Sequence, residues 1–428
     1  MSDTSRGVSH TPATAQAAEV RPDRVIGDLR ELAALTGGPD GARRLCWTPE
    51  WQKARDWLRA KLAELPCTIE IDQAGNLWAT LAGQMPDVVV VGSHIDSVPH
   101  GGWLDGCLGV TSALEMLRMY APTPPPATLR LVDWADEEGA RFGRSLFGSS
   151  AVAGTLDPDS VRGLKDREGI ALPDALAACG VDLDRVLESG SRLSDVKAYL
   201  EVHIEQGPVL EKLGIPIGPV LGTFGVERHA VHFAGRTSHA GSTPMDLRHD
   251  ALTCAARFAL EVRESAKRRG GVATCGVITV EPGIVTAIPG TCMIKLDQRC
   301  LDADALAGML ADAREAAERI AADEGCTVTW EHIWRIEPIP FHPTLIRFAE
   351  ESCREVAGVA HALPSGALHD AAEMARRVPT VMLFVTSIGG VSHSPAEETP
   401  IEHLELLVRA HAGLTRRTLD WVAAGRPA

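Results

Sequence analysis

Ten cysteines are spread along this 428-residue chain, yet no two stand closer than eight residues. That spacing excludes a CxxC redox motif and the paired cysteines of a zinc finger. In so long a chain they do not read as a disulfide framework either. Buried or free thiols in a reducing compartment are expected, and a cytoplasmic location with them. No apolar run approaches ~18 residues, so no segment is expected to span a bilayer. The start, Met1 to Asp23, is rich in Ser, Thr and Ala and lacks the apolar core of a signal peptide. Cations are outnumbered, 42 Lys plus Arg against 57 Asp plus Glu, for a net charge of −15. This balance argues against broad binding to nucleic acid or an anionic membrane, and neither is expected as a partner. Only seven of the 42 cations are lysine, which reads as coding bias. Four familiar motifs are also missing: the GxSxG nucleophile elbow, the HExxH helix, the GxxxxGK[ST] phosphate loop and a helix-opening GxGxxG.

What is present is an ordinary globular composition, 45 % hydrophobic and 23 % charged, long enough for two or three domains. Asp23–Leu35, Pro49–Leu65 and Gly109–Met119 read as helices. Asp87–Val91, Thr128–Trp134, Tyr199–Ile204 and Val378–Val385 read as strands buried on both faces. This alternation implies an α/β fold, a mixed but mostly parallel sheet flanked by helices. Residues 225–334 have another rhythm. Val226–Phe233, Val272–Val280, Met293–Arg299 and Cys326–Trp334 read as strands, with helices at Met245–Lys267 and Ala303–Asp323. That β-α-β-β-α-β order is ferredoxin-like and predicts an inserted α+β domain. The expected division is a mobile tail at 1–22, a catalytic domain at 23–218 and 333–428, and the insert at 219–332. The stretch 155–195 is too uneven to assign.

Four apolar strands run into loops that carry His, Asp or Glu. They are VGSHID (91–96) continuing to GGWLDG (101–106), LVDW (131–134) leading to DEEG (136–139), EVHIEQG (201–207), and FVTS (384–387) running to SHS (392–394). In an open α/β sheet such loops converge at the carboxyl ends of the strands, where ligands bind. Imidazoles and carboxylates gathered there suit a borderline cation such as Zn²⁺. Singly, each residue has a plainer reading. His94 could be a loop histidine bonded to backbone, Asp105 a turn former, Glu137 and Glu138 a solvated face, and His203 a core histidine. From the residues alone both readings stay open.

The strings GSHIDSVPHGGWLDGCLGV, DEEGARFGRSLFGSSAVAG, EVHIEQGPVLE, GRTSHAGSTPM and SHSPAEET together resemble the hydantoinase/carbamoylase family. Its members include N-carbamoyl-L-amino acid amidohydrolases, β-ureidopropionases and allantoate amidohydrolases, within the di-metal aminoacylase and carboxypeptidase-G-like superfamily. The resemblance implies two divalent ions per subunit, zinc first, with manganese, cobalt or nickel as alternatives. His94, Asp105 and His203 would hold one ion, and Asp105, Glu138 and His393 the other. Asp96 would orient His94. A bridging water would be the nucleophile and Glu137 the general base. His239 would stabilise the oxyanion from the partner subunit, and Arg299 would clamp a substrate carboxylate. Gln206, Thr286, Leu368 and His369 would contact substrate. The inserted domain would act as a lid and build a homodimer.

Three positions depart from the family pattern. Thr286 stands where asparagine is usual in NxIPG, Leu368 replaces the second glycine of GAGHD, and GGWLDG carries Trp103 and Leu104 where GGxFDG is frequent. The expected reaction is therefore cleavage of a linear C–N bond in an N-carbamoyl amino acid or related ureido acid. The alternative is hydrolysis of an N-acyl or peptide-like amide, and a non-catalytic binding protein is the third reading.

Overall fold

Val88–His94, Thr128–Trp134, Val196–Ile204 and Thr380–Val385 are the four strands expected from their apolar runs, and they lie together as the parallel centre of one sheet. The computed structural model describes residues 17–425. Four strands, each antiparallel to its inner neighbour, bring the sheet to eight of its nine: Leu77–Leu81 and Thr68–Ile71 beyond one side, Ile217–Thr223 and Ile339–Pro340 beyond the other. Leu363–Ser365 runs parallel to Ile217–Thr223. The fold is thus mixed α/β with a parallel centre.

Period-2 alternation explains the layering. Val89 and Val91 face one apolar cluster with Leu129, Leu131, Leu200, Val202 and Leu383. Val88 and Val90 face the opposite cluster with Val132, Trp134, Tyr199, Met382 and Phe384. Helices Pro22–Thr36, Cys107–Tyr120 and Ile401–Ala423 cover the first face through residues such as Leu29, Leu117 and Leu407. Each fully buried Val or Leu contributes about 1.5–3 kcal/mol. Because these strands are parallel, their carboxyl ends all open on one side, and every loop singled out above leaves from that side.

A second sheet is separate. Gly225–Ala234, Val272–Glu281, Thr291–Cys300 and Thr327–Ile336 form four antiparallel strands, with Val272–Glu281 and Thr327–Ile336 at the edges. Helices Ala251–Arg269 and Ala303–Asp323 pack on it around Phe233, Phe258, Ile294 and Ile320. By sheet membership this excursion runs over 225–336, where the sequence suggested 219–332, because Ile217–Thr223 still belongs to the large sheet.

Other differences have local causes. The helix expected from Met245 starts at Ala251, because the Asp250 side chain caps the amides of Leu252 and Thr253. Met245–Leu247 is a separate 3-10 turn. Residues 155–195 hold the short helices Pro158–Val161 and Leu172–Ala178 and a 3-10 run, Leu183–Leu193. Of the tail expected at 1–22, residues 1–16 lie outside the described residues. Beyond them Ala18 donates its N–H to Met119 O, and Arg21 donates its N–H to the buried Glu115 carboxylate. All ten cysteines are free. No described helix is long and apolar enough to cross a membrane.

Candidate metal centre

His94 is the last residue of its strand, and the chain returns beneath it through Gly106. Gly106 has φ +65°, and a Cβ there would stand 2.4 Å from the imidazole, so glycine is required at this approach. The turn presents Asp105 between three histidines. Its Oδ1 lies 3.1 Å from His203 Nε2 and 3.8 Å from His94 Nε2. Its Oδ2 lies 3.3 Å from His393 Nε2, which is itself 3.4 Å from Glu138 Oε2. Two triads result, His94–Asp105–His203 and Asp105–Glu138–His393, with the ligand atoms of each within 4.8 Å of one another. The five residues come from four strand-end segments, as the sequence suggested, and Asp105 belongs to both groups.

The donor set fits divalent ions. His94 Nδ1 lies 3.1 Å from the Asp96 carbonyl, and His203 Nδ1 lies 2.9 Å from the Ile204 carbonyl. These contacts account for one proton on each Nδ1 and leave each Nε2, which faces Asp105, as the atom that would bind an ion once its own proton is displaced. His94 Nε2 and Glu138 Oε1 are buried without a hydrogen-bond partner, a costly arrangement that a cation would relieve. Mixed imidazole and carboxylate ligands suit zinc and also accept manganese, cobalt or nickel.

Glu137 belongs to neither triad. Its Oε2 lies 3.8 Å from His94 Nε2, and it lines the cavity of about 240 Å³ over Asp105. Burial pushes its carboxyl well above the ordinary range. Asp96, expected to orient His94, also acts across the sheet. Its carboxylate oxygens accept the backbone N–H groups of Glu137 and Glu138 at 3.2 Å each. One residue thereby fixes the backbone of both glutamates. Asp136, Leu146, Gln206 and His393 around the site hold left-handed φ values of 54–59°. Such non-glycine strain costs about 1–3 kcal/mol per residue and marks a backbone constrained by its site.

Glu397 was not singled out from sequence, although it lies within SHSPAEET. It is fully buried, accepts the Leu104 and Asp105 N–H groups at 3.0 and 3.1 Å, and accepts from Ser392 Oγ at 3.2 Å. It therefore ties the Asp105 turn to the His393 loop. Its approach needs Gly102, where a Cβ would stand 2.0 Å from Glu397 Oε1. Glu201 is likewise buried, accepting from Ser93, Tyr199 and the Ala371 N–H beneath the histidines.

The residues expected at substrate divide into two groups. Gln206, Leu368 and His369 line the cavity over Asp105. Gln206 donates to Asp105 Oδ2 at 3.0 Å, and the His369 ring lies 4.5 Å from that of His203. Arg299 donates to the Gly366 carbonyl at 2.8 Å and lines an adjoining cavity. His239 and Thr286 stand elsewhere. Both are exposed on neighbouring loops of the small sheet, joined by the Ala240 N–H to the Thr286 carbonyl, and neither lines the cavity over Asp105 in this single chain. Trp103 faces a separate small cavity with Arg44 and Pro395 and does not line the cavity over Asp105.

A pH dependence follows from the ligands. Burial raises Glu138 to about 7, and the hydrogen bond with Asp105 raises His393 to about 9. Burial would also raise Asp105, but hydrogen bonds from His203 and His393 overcome it and hold Asp105 well below its ordinary value. An ion entering the second triad at pH 6 must therefore displace protons from both Glu138 and His393, and at pH 9 it displaces far fewer. Metal affinity measured by chelator competition is expected to rise steadily between those limits, with proton release falling. A flat profile would contradict this ligand assignment.

The family model described as peptidase family M20/M25/M40 matches residues 90–417. The N-carbamoyl-L-amino acid amidohydrolase of Geobacillus stearothermophilus is 38 % identical over 386 residues, covering 88 % of this chain and 94 % of that protein. The allantoate amidohydrolase of Escherichia coli K12 is 35 % identical over 371 residues, covering 85 % of this chain and 90 % of that protein. A solved amidase of the hydantoinase/carbamoylase family from Burkholderia multivorans superposes with a TM-score of 0.83 at 32 % identity, covering 93 % of this chain and 98 % of that one.

Proposed function

Because the chain belongs to peptidase family M20/M25/M40, we propose that this metal-dependent amidohydrolase hydrolyses the linear C–N bond of an N-carbamoyl amino acid or a related ureido acid, using two divalent ions per chain. The observation that carries the reading is the pair of ligand triads sharing Asp105. Nearly full-length relatives named as amidohydrolases leave no place for a non-catalytic binding protein.

Bound ions of this kind supply a Lewis acid for the scissile carbonyl and acidify water. Glu137 accepts the proton from the attacking water and delivers it to the leaving nitrogen. Burial, which disfavours its charged form, makes that carboxyl basic enough to do so. Gln206 and His369 stand in the cavity wall as donors or acceptors to substrate. Arg299 presents a guanidinium for the substrate carboxylate, a fork that lysine would not reproduce. The small sheet and its two helices form a lid through which two chains pair, and His239 reaches the partner's substrate from there. That assignment accords with the exposure of His239 in the single chain. Ten free thiols accord with a cytoplasmic setting.

His239→Ala is expected to lower kcat by ~10²–10³-fold, the loss typical of one oxyanion donor. A change confined to KM would make His239 a ground-state contact. Mixing the inactive Glu137→Gln and His239→Ala chains should restore part of the activity, and absence of rescue after verified subunit exchange would refute action across a dimer.

Leu368 in the cavity wall favours the second reading, cleavage of an N-acyl amide, since its bulk occupies the place of a glycine. Product analysis separates the two. Each L-amino acid is offered as its N-carbamoyl and its N-acyl derivative to metal-loaded enzyme. Equimolar ammonia and free amine from the carbamoyl series are expected. Free amine from the acyl series alone, without ammonia, would establish the second reading.

A further inference from the structure

The cavity over Asp105 does not end at its polar walls. Gln206 and Ala367 are shared with a second cavity of about 630 Å³ that opens between the two sheets. Its lining is mainly apolar: Pro208, Val209, Phe224, Val272, Leu363 and Phe384. Phe384 forms its buried base and connects it to the chemistry. The Phe384 ring lies 5.7 Å from that of His369, which in turn lies 4.5 Å from that of the ligand His203.

The charged groups at this second cavity are few and mostly committed. Glu205 accepts the N–H groups of Val209 and Leu210 at 2.7 and 2.8 Å, capping the short helix that follows. Arg299 is the one Arg or Lys among the described residues lining the cavity. Asp297 and the Gly366 carbonyl hold it at the rim, and Val272 is its cross-strand partner. A substrate with its ureido carbon over Asp105 and its carboxylate at Arg299 therefore has its α-substituent beside an apolar space with room for an aromatic side chain.

We infer that this cavity is the side-chain subsite, and that the substrate is an N-carbamoyl amino acid bearing a large apolar side chain rather than a compact or doubly ureido-substituted acid such as allantoate. The inference rests on the ureido-acid reading above and deepens it. Apolar groups gain by leaving water for such a wall. A second ureido group would lose its hydrogen bonds to water there and meet few partners in return.

The test measures kcat/KM on metal-loaded enzyme with the N-carbamoyl derivatives of glycine, alanine, aspartate, leucine, phenylalanine and tryptophan, and with allantoate. The leucine and aromatic derivatives are expected to exceed glycine by ~10-fold or more, the discrimination that a hydrophobic pocket provides for missing methylenes, with allantoate and aspartate lowest. Two variants locate the subsite. Ala362→Trp fills the half-buried wall, and Val272→Asp places a charge at a half-exposed wall position. Each should reduce the phenylalanine-to-glycine ratio by ~10-fold. Turnover of no ureido acid at all would overturn the functional reading, and this inference with it. Turnover in which glycine, aspartate or allantoate equals the bulky apolar derivatives would overturn the inference alone. A bulky preference that survives both variants unchanged would place the side chain elsewhere and overturn it too.

Discussion

Glu137→Gln is expected to lose turnover by ~10²–10⁴-fold, the contribution of a positioned general base, while the protein keeps its metal. The substitution preserves shape and removes only proton affinity. Metal retention follows because Glu137 lies outside both ligand triads, and its Oε2 comes no closer to His94 Nε2 than 3.8 Å. The Glu137 and Glu138 amides are held by Asp96 regardless of the side chain at 137, so Glu138 stays in place. Activity with elemental analysis on the same sample checks both halves. Retained turnover would remove Glu137 as the base, and lost metal would make it a ligand.

Asp105→Ala is expected to lose metal and activity together. Asp105 is the one residue in both triads, and its two oxygens also receive His203, His393, Gln206 and Ser392. Deleting it would remove a ligand from each of the two proposed ions and leave the surrounding imidazoles to repel one another once protonated. The fall in affinity should exceed the ~10–100-fold that follows loss of an outer partner of a ligand. Chelator competition on purified variant measures it, with circular dichroism to show that the fold persists. A folded variant that binds two ions with undiminished affinity would refute the shared-ligand arrangement.

The contrast between these two residues shows what the sequence could carry. Parallel strands buried on both faces advertise themselves, because runs such as Val88–Val91 have no polar interruption. Their loops emerge on one side by topology alone, so the four segments carrying His, Asp or Glu can be gathered from strand order, whereas the choice of His94, Asp105, Glu138, His203 and His393 among them rests on the family resemblance. Thr68–Ile71 is not legible in the same way, since an edge strand with mostly exposed residues lacks that signal. The start of the Ala251 helix differs from the sequence pattern because an Asp250 cap outweighs a helical periodicity running back to Met245.

Roles carried by long-range contacts are the least legible. Glu397 bonds backbone amides some 292 residues away in the chain, and nothing in its local spacing announces that. Asp96 reads as a histidine partner because it lies two residues from His94, whereas its bonds to Glu137 and Glu138 depend on the pairing of two strands. His239 and Thr286 are the converse case. Their motif points to substrate, but a single chain leaves both in solvent.

Two ions are proposed to share the Asp105 carboxylate. The most direct measurement strips the wild-type protein of metal and returns zinc or manganese in increments, following bound metal and activity together. Activity is expected to climb until two ions are bound per chain and then to level off. Full activity at one equivalent, or activity undiminished in the stripped protein, would contradict the two-ion site.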